Sequence, residues 1–396
     1  MSTTAPIPEL RSQENPPFYR DIRVIRWIGQ IAVVVVVVLV ARYLYGNIIE
    51  NLESAGLPTG FSFLDGKFGS AIPGLDDAAD ESVRGAFWLG YLNTLRVIVV
   101  GIPFCTLIGV LIGIARLSDN AAARTFGTLY VETFRNIPAL VWIFITHFAI
   151  TLVGLPAITE ANTPLDVFVV SNRGIGIPWL NPDASTLMFV GFIGIGLLAA
   201  VLISAYRGQV NAKTGAPARG GLYGSIGFII VLLIGNVVAG NALALDPAFV
   251  DGRQIGGGLD INPAYASLTI ALTLYTASHV AEIVRGAIQA IHKGQTEAAQ
   301  AIALTGFQRY RFVILPQAFR IMIPPLANQY LNITKNSSLA VAIGYIEITA
   351  IFQRATNNAA PAIQTVVVLM GLYLTFSLSI SAVANFFNRR LALETR

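Results

Sequence analysis

The chain has 396 residues, 54% of them apolar and only 12% charged, about half the charged share of an ordinary soluble domain, and its formal charge is +4. That composition excludes a water-soluble globular fold and leaves an all-α polytopic membrane protein, in which the placement of basic residues says more than their sum. One cysteine, Cys105, excludes an intrachain disulfide and a cysteine metal cluster; His147, His279 and His292 have no i, i+4 partners, so no metal is expected, and nothing points to nucleic acid.

A helix needs about 20 apolar residues to cross roughly 30 Å of hydrocarbon. Eight such runs follow one another, at about 27–46, 89–115, 136–155, 186–206, 222–241, 264–284, 318–341 and 362–386. The first, with its valine run, follows a tail (1–26) carrying Arg11, Arg20, Arg23 and Arg26, as a signal peptide would. No small-residue cleavage site comes after it; Arg42, Tyr43 and Tyr45 suit the end of a retained helix. Residues 47–88 form a solvated loop with Glu50, Glu53, Asp65, Asp76, Asp77, Asp80 and Glu81. Within it Gly60 to Lys67 imitates a phosphate-binding loop, but five residues separate the glycines instead of four, and Phe68 stands where Ser or Thr is needed. The chain is therefore not expected to hydrolyse ATP itself. The seventh run is the most polar, broken by Pro324 and Pro325 and carrying Asn328, Asn332 and Lys335. No internal repeat is visible.

With the N-terminus inside, 18 of the 26 lysines and arginines fall on the cytoplasmic side, five (Lys67, Arg84, Arg173, Arg253, Arg354) fall opposite, and Arg42, Arg96 and Lys335 lie within or at the edges of spans. This asymmetry places both termini, including the tail 387–396, and the loop 294–316 in the cytoplasm.

That loop is a polar island. Thr296 is suited to cap a helix, Glu297 to occupy its first turn, and Ala298, Ala299, Ala301 and Ala303 to continue it. Gly306 then supplies a C-terminal stop, and Leu315 and Pro316 mark the turn into the next span. The expected product is a helix of about eight residues, roughly 12 Å long, whose alanines offer a narrow surface to a protein groove. A lipid-surface loop assisted by Lys293, Arg309, Arg311 and Arg320 is the alternative, but such a helix wants bulky apolar residues on one face, and Glu297 to Ala303 offers alanine with one isoleucine.

Glu297-Ala298-Ala299, Gly306 nine positions after the glutamate, and Ile314-Leu315-Pro316 resemble the loop by which ABC importer permeases dock onto their ATPases. From Asn93 onward the chain resembles the polar amino acid, histidine/glutamine-type permeases, through Asn93-Thr94-Leu95-Arg96, Gly113 to Ser118, Tyr130 to Pro138, Leu274 to Ala277, Ala281 to Gly286 and Lys335 to Leu339. The long first loop and Arg135-Asn136-Ile137-Pro138 are similar to the larger, Q-type subunit of the broad-specificity L-amino acid branch. The resemblance implies a type I importer permease core within 89–386, preceded by one helix and enlarged by two at about 186–241. It implies a bacterial inner-membrane protein that binds no cofactor itself. Its partners would be two ATPase subunits holding ATP and Mg, a second, different but homologous permease, a periplasmic amino acid-binding protein and an L-amino acid. Where the family writes Lys-Asp-Thr-Ser-Leu, this chain has Asn336 and Ser337, so no role can rest on that carboxylate.

Charges within membrane helices usually face the bundle interior or water. Lys335, with Asn328, Asn332, Ser337 and Ser338, makes the most polar membrane segment and is suited to an amino acid's carboxylate and amine; alternatively, these groups satisfy backbone freed by the two prolines. Glu132 with Arg135, and Glu282 with Arg285, are i, i+3 pairs at cytoplasmic helix ends, read as ion pairs with gating as the second possibility. An ion-coupled secondary transporter is the competing function; it would need mid-membrane acids, which the spans almost lack. A hydrolase would need a nucleophile beside its base, and Ser278 and His279 are only sequence neighbours.

Overall fold

The computed structural model of the chain describes residues 22–56, 58–71, 80–181, 185–215, 219–358 and 360–391; Arg11, Arg20, Asp76, Asp77 and Arg396 lie outside the described residues. Apolar runs become helices because a bilayer offers no partner to a free backbone amide. The first, α1 (Ile22–Ser54), is longer than the run that predicts it and its apolar stretch is exposed along its length. After a short 3-10 turn at Ser62–Asp65, α2 (Val83–Ala115) opens with the Ser82 hydroxyl accepting the Gly85 N–H.

Residues expected to form a connecting loop instead make an amphipathic helix, α3 (Ala121–Asn136), capped by the Asn120 side chain. The chain then bends by 103° at Ile137-Pro138 into α4 (Ala139–Phe144), which widens into a π-helix over Ile145–Gly154. Proline disfavours the α conformation in the residue before it, and Ile137 is extended (φ −109°, ψ 131°), so the expected span at 136–155 starts at Ala139 as one arm of a bent pair.

Two further helices, α5 and α6, interrupt a set of short strands: β1 (Val169–Ser171), β2 (Gly174–Ile177), β3 (Trp179–Leu180), α5 (Thr186–Thr214), α6 (Gly220–Val238), β4 (Leu245–Asp246), β5 (Phe249–Asp251), β6 (Gln254–Gly256) and β7 (Leu259–Ile261). All pairings are antiparallel. Strand β2 is flanked by β1 and β7, with Ile175 opposite Ile261, while β3 pairs with β4 and β5 with β6. Strands from before and after the helical hairpin are thus hydrogen-bonded to one another, β2 to β7 and β3 to β4, so α5 and α6 leave and return between paired strands.

Next come α7 (Pro263–Gln289), α8 (Lys293–Ala301), α9 (Gly306–Arg309), a π turn at Tyr310–Ile314, and α10 (Leu315–Asn336). A 3-10 stretch at Ser337–Ile343 ends on Gly344 in the left-handed region (φ 77°), before α11 (Ile348–Asn357) and α12 (Ala362–Leu391). Among the described residues six helices, α1, α2, α5, α6, α7 and α12, are long and apolar enough to cross a membrane, and the bent α3–α4 pair makes up to a seventh. The seventh expected span, 318–341, forms the helix α10 but stops at Asn336, and its prolines, asparagines and lysine keep it below that apolarity.

The centre of the bundle is the parallel pair α2 and α7. A Cβ on Gly109 would sit 2.9 Å from the Ala277 carbonyl oxygen, and one on Gly113 2.8 Å from that of Ala281. This is the glycine spacing that lets two membrane helices touch backbone to backbone. Helix α10 closes the core with Ala318, Met322 and Leu326 against Cys105, Val280 and Val284. The loop after α1 is fastened to the other end of the chain: Phe68, 1% exposed, inserts among Phe87, Ile351 and Phe376, while Asn358 Nδ2 donates to the Phe68 carbonyl at 3.0 Å and Arg354 Nη1 to that of Ala71 at 2.7 Å.

Candidate functional site

The polar island folds as a helix of nine residues, α8, but its ends differ from expectation. His292, in an extended conformation, is the cap, its Nδ1 accepting the Gly294 N–H at 3.1 Å. Thr296 lies one turn inside the helix. At the other end the Leu304 N–H donates to the Ala299 carbonyl at 3.1 Å and the Ala303 N–H to that of Gln300 at 2.9 Å, with Ala303 left-handed at φ 55°. That is a Schellman stop with alanine where glycine is usual. Gly306 is therefore not the stop; it is the first residue of α9, which Thr305 caps in a reciprocal box with Gln308. Pro316 marks no turn either. Ile314 and Leu315 are right-handed helical, and the wider π turn just ahead accommodates a ring that would crowd the carbonyl one turn back.

On α8, Glu297, Ala298 and Ala301 point away from the protein, and Ala299, 3% exposed, points in. Gln317 Nε2 on α10 ties the helix down, donating to Gln295 Oε1 at 3.2 Å. The same surface continues with the exposed side chains of Ile302, Phe307 and Phe312, and the Arg311 guanidinium lies 6.0 Å and 5.6 Å from the two rings. The small face of α8 is thus flanked by a larger apolar one that the alanine pattern does not announce.

The helix that leads into α8 carries a charge node. Glu282 on α7 accepts hydrogen bonds from Arg116, just after α2, and from Arg285, and Arg135 at the end of α3 stands 3.6 Å away. The Glu282–Arg285 pair of the sequence reading is present; the Glu132–Arg135 pair is not. Arg135 reaches across to the half-buried Glu282, and Glu132 is exposed without an ion pair among the described residues. One carboxylate thereby joins three helix ends. Arg116, which sequence reasoning missed, is 166 positions from its partner, and no local pattern could pair them.

On α10, Asn328, Asn332 and Lys335 fall at helical spacing on one exposed stripe and have no hydrogen-bond partner among the described residues. Ser337 is buried, its Oγ donating to the Thr334 carbonyl at 2.7 Å, and Ser338 Oγ donates to that of Lys335 at 2.7 Å. Both hydroxyls therefore serve their own helix end, which leaves the asparagines and the lysine as the open polar face. A second residue overlooked in the sequence is Glu347, fully buried between spans, which accepts the Ala350 N–H and the Tyr373 hydroxyl, each at 2.9 Å, and so caps α11. Gly344 just before an acid and an apolar helix is the signal that could have found it.

Residues 105–393 match the family described as binding-protein-dependent transport system inner membrane component. The chain is 38% identical over 373 residues to the putative amino-acid ABC transporter permease protein YhdX of Escherichia coli K12, covering 93% of this chain and 95% of that one. It is 37% identical over 390 residues to the general L-amino acid transport system permease protein AapQ of Rhizobium johnstonii, covering 98% and 96%. It is 34% identical over 405 residues to the glutamate/glutamine/aspartate/asparagine transport system permease protein BztB of Rhodobacter capsulatus, covering 93% of each.

Proposed function

The chain belongs to the binding-protein-dependent transport system inner membrane components, and we propose from that premise how its site works and what it carries. It is a permease subunit of an ABC importer, multi-pass in the membrane, and not an enzyme; the ATPase is a separate subunit and a binding protein delivers the cargo. The cargo class is polar L-amino acids, supported by the names that three relatives share. Both termini and α8 face the cytoplasm, supported by the 18 to five distribution of basic residues.

In this reading α8 enters a groove on an ATPase, two of which bind ATP and Mg and close on each other. Their movement passes from Glu297 and its alanine face to α10 through Gln317 and to α2, α3 and α7 through the Glu282 node, shifting the bundle between inward-open and outward-open arrangements. The second permease is a different, homologous chain, and its contact covers the stripe of Asn328, Asn332 and Lys335, which lines the path between the two.

The observation that carries this reading is a nine-residue helix with a small outward face and a fastened back. Glu297→Lys and Ala298→Trp test it. Each should lower ATP-driven amino acid uptake in proteoliposomes more than tenfold and release the ATPase during copurification, with the permease still folded. Full uptake with the ATPase retained by both variants would remove α8 from the coupling role.

A further inference from the structure

Arg96 lies inside α2, about 10 Å beyond the start of the apolar run at residue 89 at 1.5 Å per residue. Its guanidinium is exposed on the surface of the chain, and no carboxylate lies in ion-pair range of it among the described residues. Of its five N–H donors, one is engaged: Nη1 donates to Asn93 Oδ1 at 3.1 Å. Asn93 is itself fixed, its Nδ2 donating to the Ile346 carbonyl at 2.7 Å and its own carbonyl accepting the Tyr345 hydroxyl at 3.1 Å. The Tyr265 hydroxyl donates to the Arg96 carbonyl at 3.3 Å. The cation is braced and aimed while most of its donors stay open.

A charge at that depth is costly unless something answers it. Among the described residues no acid answers it: Glu282 is surrounded by three arginines, and Glu347 is fully buried and accepts the Tyr373 hydroxyl. Val97, next to Arg96, shares a buried cluster with Ile333 and Ala340, which places Arg96 at the level where α10 ends near Lys335. The anion must come from outside the chain, and a planar guanidinium with free parallel donors suits a carboxylate best. We propose that Arg96 binds the carboxylate of the amino acid in transit, with Asn93 as its positioning residue; this rests on the amino acid permease reading above.

The test uses the assembled transporter with its ATPase and binding protein in proteoliposomes, with radiolabelled L-glutamate and L-glutamine as probes. Arg96→Gln should lower uptake of both at least tenfold while ATP hydrolysis stimulated by the loaded binding protein stays within twofold. Arg96→Lys should recover part of the uptake, since charge remains and the fork is lost, and Asn93→Leu should cost a few-fold through a higher KM. Undiminished uptake by Arg96→Gln would overturn the proposal and make Arg96 an interfacial anchor. Loss of the second permease from the purified Arg96→Gln complex would also overturn it, by assigning the missing carboxylate to that subunit. A wild-type complex that moves no amino acid with ATP would refute the parent reading, and this one with it.

Discussion

At the residue scale α8 shows how local chemistry sets an end that composition only suggests. Ala303 holds the left-handed position that terminates α8, where its Cβ costs about 1 kcal/mol relative to glycine. Ala303→Gly should therefore tighten the last turn by about 0.5–1 kcal/mol, and amide exchange across residues 299–304 should slow by about two- to fivefold, as read by mass spectrometry. Faster exchange in that variant would mean the Schellman turn is not what closes the helix. Thr296 and Gly306 were legible as cap and stop by residue type, yet His292 and Ala303 hold those places. Type preferences rank candidates, while the backbone angles at each position decide among them. The polar stripe of α10 was legible because three open polar side chains recur at helical spacing, and the serines beside it take the alternative role of bonding backbone, since a hydroxyl can bond to its own helix.

At the element scale, the pairing of α2 with α7 depends on two glycines a turn apart, and the same contact brings Arg116 to Glu282. Gly113→Val would place a branched side chain 2.8 Å from the Ala281 carbonyl and 2.9 Å from the Val284 Cβ. The helices must separate, at a cost of about 1–3 kcal/mol, and the node must loosen with them. Gly286 on the exposed side of α7 has nothing within 4 Å of an added Cβ, so Gly286→Ala should leave stability unchanged or raise it by up to about 1 kcal/mol. Thermal unfolding of the two variants in the same detergent separates the effects: a lower midpoint for Gly113→Val only is expected, and equal midpoints would show that close approach is not what holds the pair. Helices of this length are legible because a bilayer admits few alternatives to them. Helix α3 was missed because its apolar face is narrow, and strands of two to four residues carry too little pattern to be seen.

At the scale of the whole molecule, every proposed role depends on which end of the bundle meets the ATPase. The inserted hairpin makes the orientation testable. The β5–β6 turn holds Arg253, the link between α5 and α6 begins near Lys213, and Lys67 is exposed on the loop after α1. If basic residues mark the cytoplasmic side, Lys67 and Arg253 share the opposite side and Lys213 lies with α8. Cys105, the sole cysteine, is fully buried beneath α7 and α10 and should stay silent to a membrane-impermeant maleimide, so single-cysteine variants can be read on the native background. Lys67→Cys and Arg253→Cys should label in intact spheroplasts, and Lys213→Cys only after the membrane is opened. The reverse pattern would invert the chain and turn α8 away from ATP. Labelling of Lys213→Cys together with Arg253→Cys in intact cells would instead mean that α5 and α6 do not cross as a hairpin, and that the insertion does not preserve the orientation of everything after it.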